Sequence, residues 1–116
     1  MRVMVIIKAT KNSEAGVMPS EKLLGDMGKF NEELVKAGVM LAGDGLHPSN
    51  KGKRVRFAAG KKTVVDGPFA ETKDVVGGYT LIEARDLEQA VELSKGCPIF
   101  EVDGAVEVRP VMKMNM

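Results

Sequence analysis

The stretch of sequence that decides the fold comes first in the chain, where residues 2–9 read RVMVIIKA. β-Branched residues dominate this stretch, and such residues favour strands. Successive side chains of a strand point to opposite faces, and here both sets are apolar: Val3, Val5 and Ile7 on one face, Met4 and Ile6 on the other. A strand that is apolar on both faces is typical of the middle of a covered sheet, so this stretch predicts a central strand.

Outward from this strand, helix and strand patterns alternate along the chain. A loop over residues 10–19 leads to Ser20, which predicts a helix N-cap, and Gly38 predicts the helix end. Between them, apolar residues recur at helical spacing: Leu23, Met27, Phe30 and Leu34. Residues 39–46 then predict a second strand, which two glycines weaken.

The second half of the chain predicts a hairpin, a strand and a helix. Residues 54–58 and 63–65 flank a Gly-Lys turn and predict a β-hairpin. A strand follows over residues 77–84. Asp86 and Gln89 have capping-box spacing and predict the start of a helix. We expect four residues in the inward stripe of that helix: Leu87, Ala90, Val91 and Ser94.

With a final strand over residues 105–111, the order of elements is β, α, β, hairpin, β, α, β. This order predicts an α+β fold of the ferredoxin-like β-α-β-β-α-β plan with an inserted β-hairpin, in which two helices pack on one face of a mainly antiparallel sheet. Two short helices cover only one sheet face, yet the first strand is apolar on both. A second copy that packs sheet against sheet is the simplest cover, so we predict a homodimer with a shared interior.

Length and composition narrow the class of protein. A chain of 116 residues fits one domain, which we assign to residues 1–116. The 17 Lys and Arg residues nearly balance the 16 Asp and Glu residues, so we expect no nucleic-acid partner and interpret the basic residues 51–56 as a solvated surface. No apolar run approaches the ~20 residues of a membrane span. The single cysteine, Cys97, fits a reducing compartment, and we expect a cytoplasmic protein.

The most distinctive segment is residues 66–74, DGPFAETKD, which a Gly-Gly-Tyr triplet follows at residues 77–79. It resembles the DGPF motif of the YCII-related family. Further landmarks of that family occur here in the same order: Gly45-Leu46-His47-Pro48, the helix starting at Asp86, and VEVRP at residues 106–110. The resemblance covers most of the chain, and Asp74 stands where the family usually has Glu.

The resemblance implies a ferredoxin-like fold that dimerises into an α+β barrel with a cleft at the sheet interface, and it implies no single reaction. A catalytic acid–histidine dyad is proposed in one branch of the family, with its histidine near the first helix. Residues 20–37 contain no histidine here, so the dyad does not transfer to this chain. Relatives of the fold include isomerases and dehalogenases, which keeps a catalytic role open.

Asp66 is the first candidate catalytic residue. Gly67 tolerates backbone angles that other residues avoid and Pro68 fixes its own, so the turn should hold Asp66 with little freedom. A carboxylate held in this way can act as a general base if partial burial raises its pKa. The alternative is that Asp66 only caps its own turn.

Five further residues are candidate substrate-binding groups. Glu71 and Lys73 can orient a polar substrate or form a solvated ion pair of little energetic value. Phe69 can line the cleft or anchor the turn in the core, and the hydroxyl of Tyr79 needs a partner if the cleft buries it. Arg109 can bind a substrate carboxylate through two hydrogen bonds, or it can form a structural ion pair.

His47 is the only histidine and the second candidate catalytic residue. Imidazole titrates near neutral pH and can act as a proton shuttle, and the alternative is a surface turn histidine. One histidine without clustered Cys, His or acidic residues predicts no metal site. The glycines of residues 43–45 lack the Lys and the following helix of a phosphate-binding loop, and we expect no cofactor.

Two functions remain open on the sequence. The first is an enzyme that performs acid–base chemistry on a small polar molecule, with Asp66 as base and His47 as acid, and with Lys73, Tyr79 and Arg109 positioning the substrate. The second is a non-catalytic binding or regulatory module in which the same dimer cleft senses a small ligand. They differ in one requirement, because an enzyme needs Asp66 to face a pocket.

Overall fold

The computed structural model describes residues 1–69, 75–99 and 104–113. Its elements are β1 (Arg2–Lys8), α1 (Lys11–Glu14), α2 (Glu21–Lys36), β2 (Met40–Gly45), a 3₁₀ turn (Ser49–Lys51), β3 (Lys53–Ala58), β4 (Lys61–Asp66), β5 (Val76–Glu83), α3 (Leu87–Ser94) and β6 (Val106–Pro110). The arrangement is α+β and ferredoxin-like, which confirms the fold class predicted from the sequence.

Four strands form the main sheet in the order β2-β5-β1-β6, and neighbouring strands are antiparallel. The central position of β1 agrees with its two apolar faces. β3 and β4 pair with each other as a separate two-stranded sheet. The hairpin therefore stands beside the main sheet, and all of β4 is exposed.

The core lies between the main sheet and helices α2 and α3. Val3 of β1 and Ile82 of β5 are the largest fully buried side chains, and Leu34 of α2 belongs to the same cluster. Burial of such side chains is the dominant favourable term in folding. The molecule is a slab of 46 × 42 × 18 Å, and its thickness matches one sheet with one layer of helices.

On the other face of the main sheet, no helix covers the middle strands, and their side chains are only partly buried in the described part of the chain. Its middle strands present apolar side chains, because Met4 pairs with Leu81 and Ile6 pairs with Tyr79. The edge strands β2 and β6 flank these with charged groups. We call this surface the open face, and its main residues are Met4, Ile6, Asp44, Tyr79, Leu81, Glu107 and Arg109.

Both edges of the main sheet are interrupted. The register of β2 against β5 shifts between Met40 and Ala42, and β2 ends in two glycines around Asp44. β6 ends at Pro110, which has no N–H to donate to a further strand. These features limit regular pairing at either edge.

The predicted caps are present at both long helices. The Ser20 hydroxyl accepts from the N–H of Leu23 at 3.1 Å, and Gly38 follows α2 with a φ of +74°. The Asp86 carboxylate accepts from the N–H of Gln89 at 2.8 Å, and that backbone bond lowers the pKa of Asp86. The Gln89 side chain accepts from the N–H of Arg85. In a capping box it would accept from the N–H of Asp86, the N-cap residue itself.

One local prediction was wrong and another was only half right. Residues 11–14 form helix α1 where the sequence predicted only a loop, because Thr10 and Ser13 cap it reciprocally. In α3, Ala90 and Ser94 of the expected stripe are buried, whereas Leu87 and Val91 are exposed. Leu93, which the stripe left out, packs against the core instead.

Candidate functional site

The turn at Gly67 packs tightly against the 3₁₀ turn before β3. A Cβ atom on Gly67 would lie 1.7 Å from the carbonyl oxygen of Ser49, a separation that no side chain tolerates. The Gly67 N–H donates to the carbonyl oxygen of Gly52 at 3.0 Å, and the Gly67–Pro68 peptide bond is cis. Glycine is therefore required here by close contact with a neighbouring backbone.

Ser49 connects this turn to helix α1. The residue is buried, its hydroxyl donates to the Glu14 carboxylate at 2.5 Å, and its N–H donates to the same carboxylate at 3.1 Å. The hydroxyl oxygen also accepts from the N–H of Phe69 at 3.0 Å. Hydrogen bonds to a charged group are roughly twice as strong as neutral ones. Glu14 therefore fixes Ser49, and Ser49 fixes Phe69.

Beside these contacts lies a cavity of about 440 Å³, which we call the His47 cavity. Four residues form its apolar walls: Leu46, Pro48, Val75 and Val76. The rest of the described lining is one glycine, Gly52, together with polar, basic or aromatic residues: His47, Ser49, Lys51, Arg54 and Phe69. Small-molecule sites are typically concave, mostly apolar and roughly 300–1,000 Å³ in volume, so this cavity has the size of a ligand site.

The described lining of the His47 cavity is electropositive. Lys51 and Arg54 carry permanent charges, the His47 imidazole can gain one, and no carboxylate belongs to this described lining. The central carbon of the Arg54 guanidinium lies 4.1 Å from the centroid of the Phe69 ring, which is a cation–π contact. Stacking on the ring holds the guanidinium at the cavity wall.

The structure brings two of the predicted site residues together, since His47 and Phe69 line the same cavity. Asp66 lies elsewhere. Lys53 stands directly opposite Asp66 in the hairpin register, and its ammonium nitrogen lies 2.5 Å from the Asp66 carboxylate. The Asp66 side chain is 74% exposed. The catalytic hypothesis needed Asp66 to face a pocket. In the structure, cross-strand pairing directs its carboxylate to Lys53 instead.

The other described candidates lie on the open face. The Tyr79 hydroxyl donates to the Asp44 carboxylate at 3.2 Å, and this hydrogen bond, together with the negative charge of Asp44, raises the pKa of Tyr79. Arg109 stands on β6 opposite Met4. Neither residue lines the His47 cavity within one chain. The candidates Glu71 and Lys73 lie outside the described residues.

Sequence reasoning missed four residues of this site. Glu14 and Ser49 were missed because their contact joins segments 35 residues apart, although the Thr10 and Ser13 pair is a readable capping signal for α1 itself. Lys51 and Arg54 were interpreted as part of a solvated surface. For Arg54 that interpretation is wrong, since the residue is only half-exposed and stacks on Phe69.

A second, larger cavity of about 690 Å³ lies where β1 ends, between residues 8–13, residues 17–20 and the segment around Ile99. It holds none of the predicted site residues. Among the described residues, no three His, Cys, Asp or Glu side chains stand close enough together to hold a metal ion. No described helix combines the length and the apolar character needed to cross a membrane.

Comparisons with known proteins agree with this geometry at the level of the fold. The solved structure of 5-chloro-2-hydroxyhydroquinone dehydrochlorinase from Burkholderia phenoliruptrix AC1100, in complex with 2,5-dihydroxybenzoquinone, matches with a TM-score of 0.54 over 97% of this chain and 94% of that chain. The two sequences are 14% identical, so the likeness shows a shared fold alone. That neighbour is an enzyme.

The sequence comparisons establish the family. An uncharacterized protein of Rhizobium meliloti (strain 1021) is 32% identical over 92 residues, which cover 78% of this chain and 74% of the relative. The family model described as the YCII-related domain matches residues 1–115. The resemblance first seen around the DGPF segment therefore extends over nearly the whole chain, which belongs to the YCII-related domain family.

Proposed function

We propose that this protein is an enzyme that performs acid–base chemistry on a small polar organic molecule bound in the His47 cavity. One observation carries the proposal: the only histidine of the chain lies in a ligand-sized cavity whose wall is fixed by two contacts, Gly67 against Ser49 and Ser49 against Phe69. A fold neighbour that is itself a dehydrochlorinase supports a catalytic role.

In this proposal His47 transfers the proton. Its imidazole can accept a proton from the substrate at one step and return it at the next. A positioned general acid–base group typically contributes about 10² to 10⁴ in rate. Glu71 and Lys73 stand in the sequence between Phe69 and Val75, which both line the cavity, and they remain proposed substrate-orienting groups.

Asp66 receives a different role in the proposal from the one that the sequence suggested. Its exposed carboxylate pairs with Lys53 at the base of the hairpin, so we assign it to holding the turn. An exposed ion pair contributes little to stability, typically 0–1 kcal/mol, and the expected role is to orient the turn beside Gly67.

We also propose that the protein is a homodimer whose second copy covers the open face. The apolar middle of that face, Met4, Ile6 and Leu81, supports this, because large apolar patches on soluble proteins usually mark contact surfaces. Tyr79 and Arg109 would then line the dimer interior. Sedimentation analysis tests the assembly: Leu81→Glu should reduce the mass to a single chain of 12.5 kDa, whereas Val35→Glu on the exposed side of α2 should leave the dimer intact.

The catalytic proposal is tested by a thermal-shift screen against small acids, lactones and phosphorylated metabolites, followed by turnover assays on each stabilising compound. A true ligand stabilises by RT ln(1 + [L]/Kd). We expect His47→Gln to keep binding and to lose about 10²- to 10⁴-fold in turnover, and Thr63→Ala on exposed β4 to match the wild type. Asp66→Asn should retain most of the turnover. Abolished turnover in Asp66→Asn with normal turnover in His47→Gln would reverse the assigned roles.

A second candidate function is a non-catalytic binding or regulatory module. One observation favours this second function: the described lining of the His47 cavity contains no carboxylate that could form an acid–base pair with His47. This function predicts that a stabilising compound binds the wild type and His47→Gln alike and is never converted.

A further inference from the structure

We propose that the two copies of the homodimer pack their open faces with the strands running in roughly opposite directions, so that Glu107 of each copy forms an ion pair with Arg109 of the partner subunit. This inference rests on the homodimer proposed above, because it concerns the same face. It adds the groups that fix how the two copies are oriented, and it does not depend on what the His47 cavity does.

The register of the main sheet arranges the open face in rows that run across the strands. One row carries two carboxylates, and we call it the acidic row; in the order β2, β5, β1, β6 its residues are Asp44, Tyr79, Ile6 and Glu107. The neighbouring row carries one guanidinium, and we call it the basic row; in the same order its residues are Ala42, Leu81, Met4 and Arg109. Each row therefore has a largely apolar middle, and its charges lie on the edge strands.

Two opposite charges on β6 are available to a second copy. Glu107 and Arg109 are both exposed, and neither side chain has an ion-pair or hydrogen-bond partner among the described residues. Asp44, by contrast, already accepts from the Tyr79 hydroxyl. Residues two apart in a strand share one face of the sheet, so the side chains of Glu107 and Arg109 both lie on the surface that the second copy covers.

Sheets that pack face to face usually keep their strands aligned within about 30°, and a two-fold axis can then relate the open faces in two ways. If the axis runs along the strands, the acidic row of one copy covers the acidic row of the other. Glu107 then faces Asp44 of the partner subunit, and like charges across an interface repel. If the axis runs across the strands and between the two rows, the acidic row covers the basic row, and each Glu107 meets Arg109 of the partner subunit. Charge complementarity therefore favours the second orientation.

The apolar middles of the rows fit this orientation without a charge placed among them. Ile6 lies against Met4 of the partner subunit. Tyr79 lies against Leu81 of the partner subunit, so aromatic and aliphatic groups cover each other at the centre of the interface, where burial contributes most to association. The two ion pairs lie at the rim, along the β6 edge. Charges at a rim chiefly set the orientation and the salt dependence of an interface, and these pairs have that role.

A mixing experiment tests the reciprocal ion pairs. Glu107→Arg and Arg109→Glu each place like charges opposite one another at two positions of the dimer, so each variant alone should dimerise on the order of tenfold more weakly than the wild type at low salt. When the two variants are mixed, both contacts again join a carboxylate and a guanidinium, and the mixed dimer should form as readily as the wild-type dimer. Native mass spectrometry with one variant isotope-labelled identifies the mixed dimers directly.

A matched pair of variants controls for the change of charge itself. Glu32→Lys and Lys36→Glu reverse the charges of an exposed pair on α2, which lies on the opposite side of the sheet from the open face, and they should dimerise as the wild type does, alone or mixed. Random assortment of the labelled and unlabelled β6 variants would overturn the ion pairs. Tighter dimerisation of Glu107→Arg than of the wild type would overturn the orientation, because it would mean that carboxylates face each other.

The outcomes separate this inference from the proposed homodimer. If the wild type is a dimer that Leu81→Glu dissociates, while the two β6 variants show no preference for each other, the copies pack through the open face and the proposed orientation is wrong. If the wild type sediments as a single chain at every concentration, the homodimer and the orientation both fail. Turnover in the His47 cavity is measured separately, so the catalytic proposal is decided by its own assays.

Discussion

The two sheets of this chain differ in their cover. Val3 in β1 lies under the helices and is fully buried, whereas Val55 and Phe57, which alternate with basic residues in β3, are 67% and 69% exposed. An isolated two-stranded hairpin is marginally stable in water. The difference teaches that a period-two pattern predicts a strand, and that only the elements packed against the strand make it part of a core.

The candidate site lies where the two sheets meet. The His47 cavity is formed by the segment after β2, the start of β3, the segment after β4 and the first residue of β5, and the buried cluster of the main sheet takes no part in it. The buried core therefore belongs to the main sheet, whereas the proposed ligand cavity lies at the base of the hairpin. Each of the following predictions tests that separation.

The largest effect is expected from truncation in the main sheet. Ile82 is 1% exposed, and Ile82→Ala should reduce the free energy of unfolding by about 2–5 kcal/mol, because it removes buried methyl groups and leaves a cavity. Val64→Ala in the hairpin, at a side chain that is 62% exposed, should change it by less than about 0.5 kcal/mol. Urea unfolding measures both. Similar losses would show that the hairpin is covered in solution.

A smaller loss is expected at the junction of the sheets. Gly67→Ala places a methyl group against the Ser49 backbone, and overpacking of this kind costs about 1–3 kcal/mol. Because the turn must move, the His47 NMR signals should shift as well. Gly45→Ala is the matched control, since nothing lies within 4 Å of its added Cβ. A Gly67→Ala protein with wild-type stability and signals would mean that the turn is not held against Ser49.

The buried hydroxyl of Ser49 tests the same junction more gently. Ser49→Ala leaves the Glu14 carboxylate without one donor and the Phe69 N–H without its acceptor. We expect a loss of about 1–2 kcal/mol in unfolding free energy, since an unsatisfied buried partner costs roughly 1–3 kcal/mol. Thr63→Ala, which removes an exposed hydroxyl in the hairpin, should be almost neutral. Equal results for the two variants would argue against a buried network at the site.

The smallest effect concerns the open face at high pH. Tyr79 is the only tyrosine and the chain has no tryptophan, so phenolate absorbance reports its titration directly. Its hydrogen bond to Asp44 raises its pKa above the usual value of about 10. The stabilisation that this hydrogen bond gives the folded protein is complete at pH values below the pKa of Tyr79 in the unfolded chain. It is lost as pH rises through the pKa of Tyr79 in the folded chain. Asp44→Asn should bring the Tyr79 titration back toward its usual range, and no change would exclude Asp44 as the cause.

Much of the fold was predictable because its signals are local. The apolar run of β1, the Ser20 and Gly38 boundaries of α2 and the alternation in β5 follow from short-range rules, and each agrees with the structure. The inward face of α3 was predictable only in part. Ala90 and Ser94 were assigned to it correctly, but Leu87 and Val91 are as apolar as any core residue and are nevertheless exposed. Which side of a short helix is buried depends on the surface opposite it.

The candidate site was less predictable because it is assembled from distant segments. The sequence singled out His47 and Phe69, but it gave no measure of their separation, which depends on how the hairpin base packs. Asp66 illustrates the limit, since its local turn suggested a constrained catalytic carboxylate while the strand register placed Lys53 opposite it. Glu14 reaches Ser49 across 35 residues, a contact that no local pattern indicates.

The interrupted edges of the main sheet have a consequence for how copies of the chain avoid aggregation. A sheet with a partly uncovered apolar face is at risk of adding strands from other molecules along its edges, which is the route to fibrils. Here one edge strand has a register shift and two glycines, and the other carries Glu107, Arg109 and a closing proline. Growth strand by strand is therefore disfavoured at both edges of the main sheet.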